Sequence, residues 1–301
     1  MMAIVKGSNV VKHYNGFKAV DNISFSIERA ECFGFLGPNG AGKTTVMKMI
    51  YCRSPMESGE IIVDGLNVRT HPRKIKSVIG VATQEDNLDR DLTIYENLEV
   101  YSRYFDMPRK IAAERIERLL KFFDLEEKRS TRVDELSGGM KRKLTVARAL
   151  INDPRILILD EPTTGLDPGA RRQIWDVVNQ VKSEGKTIIL TTHYMDEAQE
   201  LCDRIAVMFG GKILEYGSPE ELIEKIVGRN VCEVYAPDEE TTRGIKRQIS
   251  DGLEQVGSRL YVYGNDAEAL REKCKAATGY DYHVRGTTLE DVFLRLTRRK
   301  L

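Results

Sequence analysis

The chain has 301 residues with 46 basic and 46 acidic side chains, so its formal net charge is zero. A general nucleic-acid binder carries a basic excess to meet phosphates, and this chain has none. Hydrophobic residues make up 41% of the chain, enough to build a core, which excludes a disordered polymer. At about 150 residues per domain, the length allows one large domain or two smaller ones. No stretch approaches the roughly 18 apolar residues of a transmembrane helix. The opening MMAIVKGSNVVKHYN lacks the apolar middle region of a signal peptide, so a protein on the cytoplasmic side is expected. The five cysteines (Cys32, Cys52, Cys202, Cys232, Cys274) are scattered and form no CxxC pair. That pattern fits reduced structural thiols better than a disulfide frame or a zinc site.

Up to about residue 225, strand and helix patterns alternate, the signature of an α/β layer fold. Cys32–Leu36 is a short apolar strand, followed by a glycine-rich turn and a helix over about Lys43–Tyr51. Ser77–Ala82 reads as the next strand. Leu92–Leu150 is charged and helical in period, with apolar residues at helical spacing over Ala112–Phe123. It reads as an inserted helical subdomain over about residues 86–150. Strands resume at Ile156–Leu159, Thr187–Thr191 and Ile205–Phe209, separated by helices at about Ala170–Glu184 and Met195–Cys202. Residues 226–301 read as a small α/β accessory domain. Its expected elements are strands at Val231–Tyr235, Arg259–Tyr263 and Tyr282–Arg285, and helices at Glu239–Ile249, Asp266–Ala276 and Leu289–Leu296. A ferredoxin-like arrangement is expected there.

Gly37-Pro38-Asn39-Gly40-Ala41-Gly42-Lys43-Thr44 fits G-x-x-x-x-G-K-S/T in full, between an apolar strand and a helix. The glycines let successive backbone amides curl inward around an anion. The following helix adds the positive end of its dipole. Lys43 is placed to reach the β- and γ-phosphates, and Thr44 to ligate Mg²⁺ through its hydroxyl. Thr45 is placed to add an α-phosphate contact. The dinucleotide pattern G-x-G-x-x-G is absent, since neither Gly34/Gly37 nor Gly37/Gly40/Gly42 supplies its spacing. Ile156–Leu159 is an apolar strand that ends in two acids. Asp160 can hold Mg²⁺, and Glu161 is the candidate general base that polarises the attacking water.

Leu136-Ser137-Gly138-Gly139-Met140, then Lys141-Arg142-Lys143-Leu144 and Ala147-Arg148-Ala149-Leu150, complete the pattern. With them the sequence resembles the ATP-binding cassette (ABC) transporter ATPases over nearly all of residues 4–218. The resemblance implies a P-loop NTPase fold of the ABC type with ATP and Mg²⁺ as ligands. It further implies that Ser137, Gly138 and Gly139 bind the γ-phosphate of ATP held by a second copy. Ser137 also reads as an ordinary helix N-cap, and the two roles are compatible. Met140 stands where glutamine is common, but the serine and glycines supply the phosphate contacts. By the same resemblance Gln84 contacts Mg²⁺ or water and hinges the helical insertion. His193 is the switch that touches the γ-phosphate, and Asp167 lies on the loop linking the two ATP sites. Tyr14, with Phe17 nearby, stacks on adenine.

The segments LSGGMKRKLTVARALINDP, EPTTGLDP and THYMDEAQELCDRI, with the terminal Thr288–Leu294, resemble a narrower bacterial group. These are the exporter ATPases of nodulation lipo-oligosaccharides and of daunorubicin-type drug resistance. The resemblance implies a Mg-dependent ATPase that forms a homodimer across two ATP sites and powers a separately encoded membrane permease. It would sit at the cytoplasmic face of the cell membrane and touch the membrane only through that permease. No nucleic-acid partner is expected. The competing readings are a soluble ABC ATPase acting on ribosomes or DNA and a phosphotransferase using the same loop.

Overall fold

The computed structural model describes residues 3–235, 253–277 and 282–298, with Arg243, Ile245 and Arg247 between them. The chain divides into two compact units, Met1–Tyr216 and Gly217–Leu301.

The first unit contains β1 (Ala3–Tyr14), β2 (Phe17–Glu28), β3 (Cys32–Leu36), α1 (Lys43–Ile50), β4 (Ser58–Val63), β5 (Leu66–Asn67), α2 (Pro72–Val78) and β6 (Ile79–Ala82). It continues with α3 (Ile94–Arg103), α4 (Arg109–Phe122), α5 (Gly138–Ala149), β7 (Ile156–Asp160), α6 (Pro168–Ser183), β8 (Thr187–Thr192), α7 (Met195–Leu201), β9 (Arg204–Phe209) and β10 (Lys212–Gly217). One sheet has the order β10-β9-β3-β8-β7-β6, and its strands from β9 to β6 run parallel. Strands β3, β7 and β8 are buried throughout, as the continuous apolar runs of a sheet covered on both faces require. The second sheet has the order β2-β1-β4-β5 and is antiparallel. A core including Phe25, Phe33, Phe35, Met47, Ile50, Ile61, Ile158 and Ile189 joins the two sheets with α1. Phe35 meets Phe25 and Phe33 edge-on at 5.3 and 5.2 Å.

Register brings the strand ends together. Leu36 lies opposite Thr192, Asp160 opposite Thr191, and Ala82 opposite Leu159. The loops after β3, β6, β7 and β8 therefore emerge side by side at the carboxyl edge of the sheet, where α/β folds bind ligands.

Two local expectations are corrected, and one sheet lies beyond them. Strand β6 starts at Ile79, because Ser77 and Val78 complete α2, a helix opened by Pro72 in its first turn. Helix α5 is no part of a separate insertion at its C-terminal end. It packs on the parallel sheet so closely that a Cβ on Gly80 would lie 1.8 Å from the Ala149 carbonyl oxygen. The antiparallel sheet was not foreseen, although Asn15-Gly16 joins β1 to β2 with φ of 48° and 82°, the signal of a tight hairpin.

The second unit contains α8 (Pro219–Ile226), β11 (Asn230–Tyr235), β12 (Leu253–Val256), β13 (Arg259–Gly264), α9 (Ala267–Ala277), β14 (Tyr282–Gly286) and α10 (Leu289–Arg298). Its sheet has the order β12-β13-β11-β14 with every neighbouring pair antiparallel. That is the strand order of the ferredoxin-like arrangement. The helix expected over Glu239–Ile249 lies outside the described residues apart from the three positions named above. Cys232, Val234, Leu260 and Val262 form a core with Leu270 and Cys274 of α9. The unit begins nine residues before the expected boundary of 225/226, because α8 packs against the terminal helix α10.

Candidate functional site

The phosphate loop runs from the end of β3 to the start of α1. Gly42 caps α1 with φ of 102°, and a Cβ there would lie 2.4 Å from the Ala19 carbonyl oxygen. A Cβ on Gly37 would lie 2.2 Å from the Met208 carbonyl oxygen. Both positions therefore exclude a side chain by contact with backbone. Lys43 is buried and folds back over the loop, donating to Gly37 O at 2.8 Å and Pro38 O at 3.1 Å. Its Nζ also lies 3.5 Å from Glu161 Oε1. Burial pulls the Lys43 ammonium below the usual lysine value, with Glu161 and Asp160 opposing that shift.

Asp160 ends β7 and is buried. Its Oδ1 accepts from Thr44 Oγ1 at 3.0 Å and from Thr191 Oγ1 at 2.6 Å. Thr44 and Asp160 thus present a hydroxyl and a carboxylate side by side. That is an oxygen donor set suited to Mg²⁺, which takes few protein ligands and leaves room for phosphate and water. Glu161 follows with φ of 47°, the left-handed region that residues other than glycine rarely adopt. Its Oε2 accepts from Thr164 Oγ1 at 3.0 Å and from Gln84 Nε2 at 3.4 Å. His193 Nδ1 lies 3.4 Å from the same oxygen without hydrogen-bond geometry. One carboxylate thus gathers the residues that follow β6, β7 and β8.

Tyr14, Phe17, Asn39–Thr45, Gln84 and Glu161 line a cleft of about 410 Å³. Tyr14 is 43% exposed, its hydroxyl bonds Ser54 Oγ at 3.0 Å, and Lys12 Nζ lies 5.0 Å from its ring. Phe17 is 64% exposed on the same cleft.

Ser137–Gly139 and Asp167 lie apart from this cleft. They line a second one of about 930 Å³, with Met140, Gly165 and Ala170. Ser137 Oγ accepts from Met140 N at 3.3 Å as the N-cap of α5, and Asp167 Oδ1 accepts from Ala170 N at 2.9 Å as the N-cap of α6. Lys43, Thr44, Gln84 and Glu161 thus line the first cleft, with Asp160 bonded to Thr44 and His193 beside Glu161, and the signature residues line another with Asp167.

Sequence reasoning passed over two buried arginines of α5. Arg142 donates to the carbonyls of Thr83, Asp160 and Pro162. Arg148 donates to those of Asp86 and Asn87, at 2.8 and 2.6 Å. Burial pulls the Arg142 guanidinium down to about 10. Both lie among the buried residues of α5, beside Leu144, Thr145 and Ala149.

A glycine-shaped anion loop with an acid pair at the end of the next strand but one belongs to a nucleotide-hydrolysing P-loop protein. Comparison with known proteins narrows this. Residues 20–164 match the ABC transporter family, and residues 239–297 match the C-terminal domain of the nodulation factor export protein NodI. The chain is 46% identical over 293 residues to Nod factor export ATP-binding protein I of Burkholderia lata, covering 97% of this chain and 96% of the relative. It is 45% identical over 300 residues to the protein of that name from Rhizobium etli, covering 100% of this chain and 95% of the relative. Among solved structures, the ABC transporter subunit cbiO1 of Clostridium perfringens superposes with a TM-score of 0.69 at 27% identity, covering 83% of this chain and 97% of that one. A dimeric post-hydrolysis state of the ATP-binding cassette MJ0796 with ADP and phosphate gives 0.66 at 28% identity, covering 71% and 98%. The chain belongs to the family of ATP-binding subunits of ABC transporters, and it is an ATPase of that class. No helix among the described residues is long and apolar enough to cross a membrane.

Proposed function

We propose that this chain powers export through a separate membrane permease, as a homodimer that closes on two ATP molecules. Each ATP would lie between Gly37–Thr45 of one copy and Ser137–Gly139 of the other. The observation that carries the reading is the division of the site. Lys43, Gln84 and Glu161 share one cleft with His193 beside Glu161, and the small-residue helix N-terminus of α5 opens on another. Each half offers amides to a phosphate that the other half leaves partly unmet, so the nucleotide itself would hold the closed state together. Export is carried by the name of the full-length relatives. Those relatives are transporter subunits, which favours this reading over action on ribosomes or DNA.

In hydrolysis, Glu161 takes the proton of the attacking water, and His193 and Gln84 orient the water and the γ-phosphate around that carboxylate. Lys43 neutralises the β- and γ-phosphates, and Thr45 meets the α-phosphate. Mg²⁺, held by Thr44 and Asp160 with Gln84 close by, would supply charge neutralisation between the phosphates. Asp167 lies beside Ser137–Gly139 and links the two sites. Tyr14 offers its face to the adenine ring. The helical region meets the permease. Its groove of about 680 Å³ is lined by Val100, Tyr101, Tyr104 and Phe105, and Tyr104 is 76% exposed. Attachment to the cytoplasmic face of the membrane follows from that contact alone.

Replacing Glu161 by glutamine tests the assignment. Turnover is expected to fall by about 10²–10⁴-fold, with an ATP-bound dimer persisting on size-exclusion chromatography. Hydrolysis at the unaltered rate sinks it.

A further inference from the structure

Arg142 takes no part in the chemistry just described, yet it ties the parts of that chemistry together. It sits in the second turn of α5, the helix that begins at Ser137. All three guanidinium nitrogens are used. Nε donates to Pro162 O at 2.6 Å, Nη1 to Thr83 O at 2.6 Å, and Nη2 to Asp160 O at 3.1 Å. Thr83 immediately precedes Gln84. Asp160 and Pro162 flank Glu161 on either side. One planar group therefore holds the backbone on both sides of the proposed base and next to the glutamine that meets it.

The backbone at Glu161 gives this clamp a task. Its φ of 47° is a conformation that persists only where the surroundings over-determine it. The Glu161 N–H is fixed by Thr191 O at 3.1 Å and Thr191 Oγ1 at 3.0 Å. The two neighbouring carbonyls are fixed by Arg142. The peptide before Glu161 thus has both its N–H and its carbonyl held, while beyond Glu161 Arg142 anchors the Pro162 carbonyl, one peptide further on. Without the guanidinium that following segment loses its anchor, and the carboxylate can leave its place between Lys43, Gln84 and Thr164. A guanidinium suits this because its donors diverge in a rigid plane, whereas an ammonium is a single point.

We infer that Arg142 is a positioning residue for hydrolysis: from the helix that carries Ser137–Gly139, it clamps the carbonyls of Thr83, Asp160 and Pro162 and so holds Glu161 against Gln84. The inference rests on Glu161 being the general base. It has a consequence for the dimer. Nucleotide engaged at the start of α5 acts on the same helix that holds the base of this chain's own cleft, so the two sites are mechanically joined through one side chain.

The test uses the full-length protein and steady-state ATP hydrolysis, with Arg142→Lys as the main variant. The lysine keeps the charge but cannot reach three divergent carbonyls. The expected result is a kcat lower by about 10-fold or more, with KM for ATP within about twofold of the unaltered protein. Leu144→Ala, a cavity on the buried face of the same helix, is the control for stability alone. It is expected to lower the thermal midpoint at least as far as Arg142→Lys while leaving kcat near its starting value. A kcat within about twofold in Arg142→Lys, a loss expressed only in KM, or an equal kcat loss in Leu144→Ala overturns the inference. Glu161→Gln separates the two levels. If that variant still hydrolyses ATP, the base assignment fails and the role of Arg142 falls with it. If it is inactive while Arg142→Lys is normal, only the role of Arg142 fails.

Discussion

Replacing Gly42 by alanine tests the phosphate loop as a shaped backbone. Two separate penalties apply there. The φ of 102° is costly for any residue with a Cβ, about 1–2 kcal/mol. The added Cβ would also lie 2.4 Å from the Ala19 carbonyl oxygen, about 1 Å inside the ~3.3–3.6 Å at which carbon and carbonyl oxygen normally meet. Relieving such an overlap costs about 1–3 kcal/mol, so the sum is about 2–5 kcal/mol. Gly40 is the internal comparison. Its φ is 81°, but nothing lies within 4 Å of its Cβ position, so Gly40→Ala carries the strain alone. Urea unfolding followed by the fluorescence of Trp175, the single tryptophan, measures both. That indole is buried in the first unit and donates to Glu197 Oε1 at 3.2 Å, so its signal reports that unit and avoids averaging over two. With an m-value of about 3 kcal/mol/M, the Gly42→Ala midpoint falls by about 0.7–1.7 M. The ~1 Å displacement of the loop also lowers kcat/KM for ATP by about 10²-fold. A Gly42→Ala midpoint indistinguishable from the unaltered protein, or a larger loss in Gly40→Ala, refutes the reasoning.

The adenine platform is testable by Tyr14→Ala, which should raise KM for ATP by about 5–150-fold, the worth of one base–aromatic stack, with kcat unchanged. Phe17→Ala is its control on the same cleft, and a KM effect in Phe17→Ala alone reassigns the platform. Glu197 yields a pH prediction. Burial raises its pKa above 4.5, while Oε1 accepts from Thr163 at 2.7 Å and from Trp175. The folded state therefore keeps a proton that the unfolded chain releases above pH 4.5, and stability declines as pH rises through that window to the raised value. Glu197→Gln keeps the accepting oxygen and removes the titration. Its thermal midpoint at pH 7 should match or exceed that of the unaltered protein, and its midpoint-versus-pH curve should be flatter above about pH 4.5. An unchanged curve removes Glu197 as the source.

The phosphate loop, the acid pair and the LSGG segment were legible because their chemistry restricts residue type at fixed spacing, within one turn or one strand end. The parallel strands were legible for a related reason, since burial on both faces leaves no polar alternation to mislead. The antiparallel sheet escaped because β1 and β2 are half-buried and interrupted. Asn9 and Asn22 take positive φ, and the β1–β2 pairing shifts register repeatedly. Its turn residues, Asn15-Gly16 and Asp64-Gly65, were the readable part. Ser77 and Val78 misled because a β-branched residue beside apolar neighbours looks the same at a helix end as at a strand start. The clamp made by Arg142 was out of reach for a deeper reason. Thr83 and Pro162 contribute only carbonyl oxygens, which every residue has, so their residue types carry no trace of the contact.

The 46-to-46 balance of charge bears on how such a chain can hold a polyphosphate. At the first cleft the buried side-chain charges are Lys43 against Asp160 and Glu161, so acid outnumbers base where the anion would sit. At the second, Lys128 and Lys143 face Asp124, Glu126, Glu127 and Asp167. Neither cleft carries a net positive side-chain charge, and Lys43 can meet the phosphates only at contact, offset by the two acids. What each offers is aimed backbone amides at a helix N-terminus, equivalent to roughly half a positive charge and effective only at contact. On the proposed reading this arrangement makes closure conditional. A strongly basic cleft would bind nucleotide from one side and gain little from a partner. Two weak, short-range half-sites retain nucleotide firmly only when they meet across it.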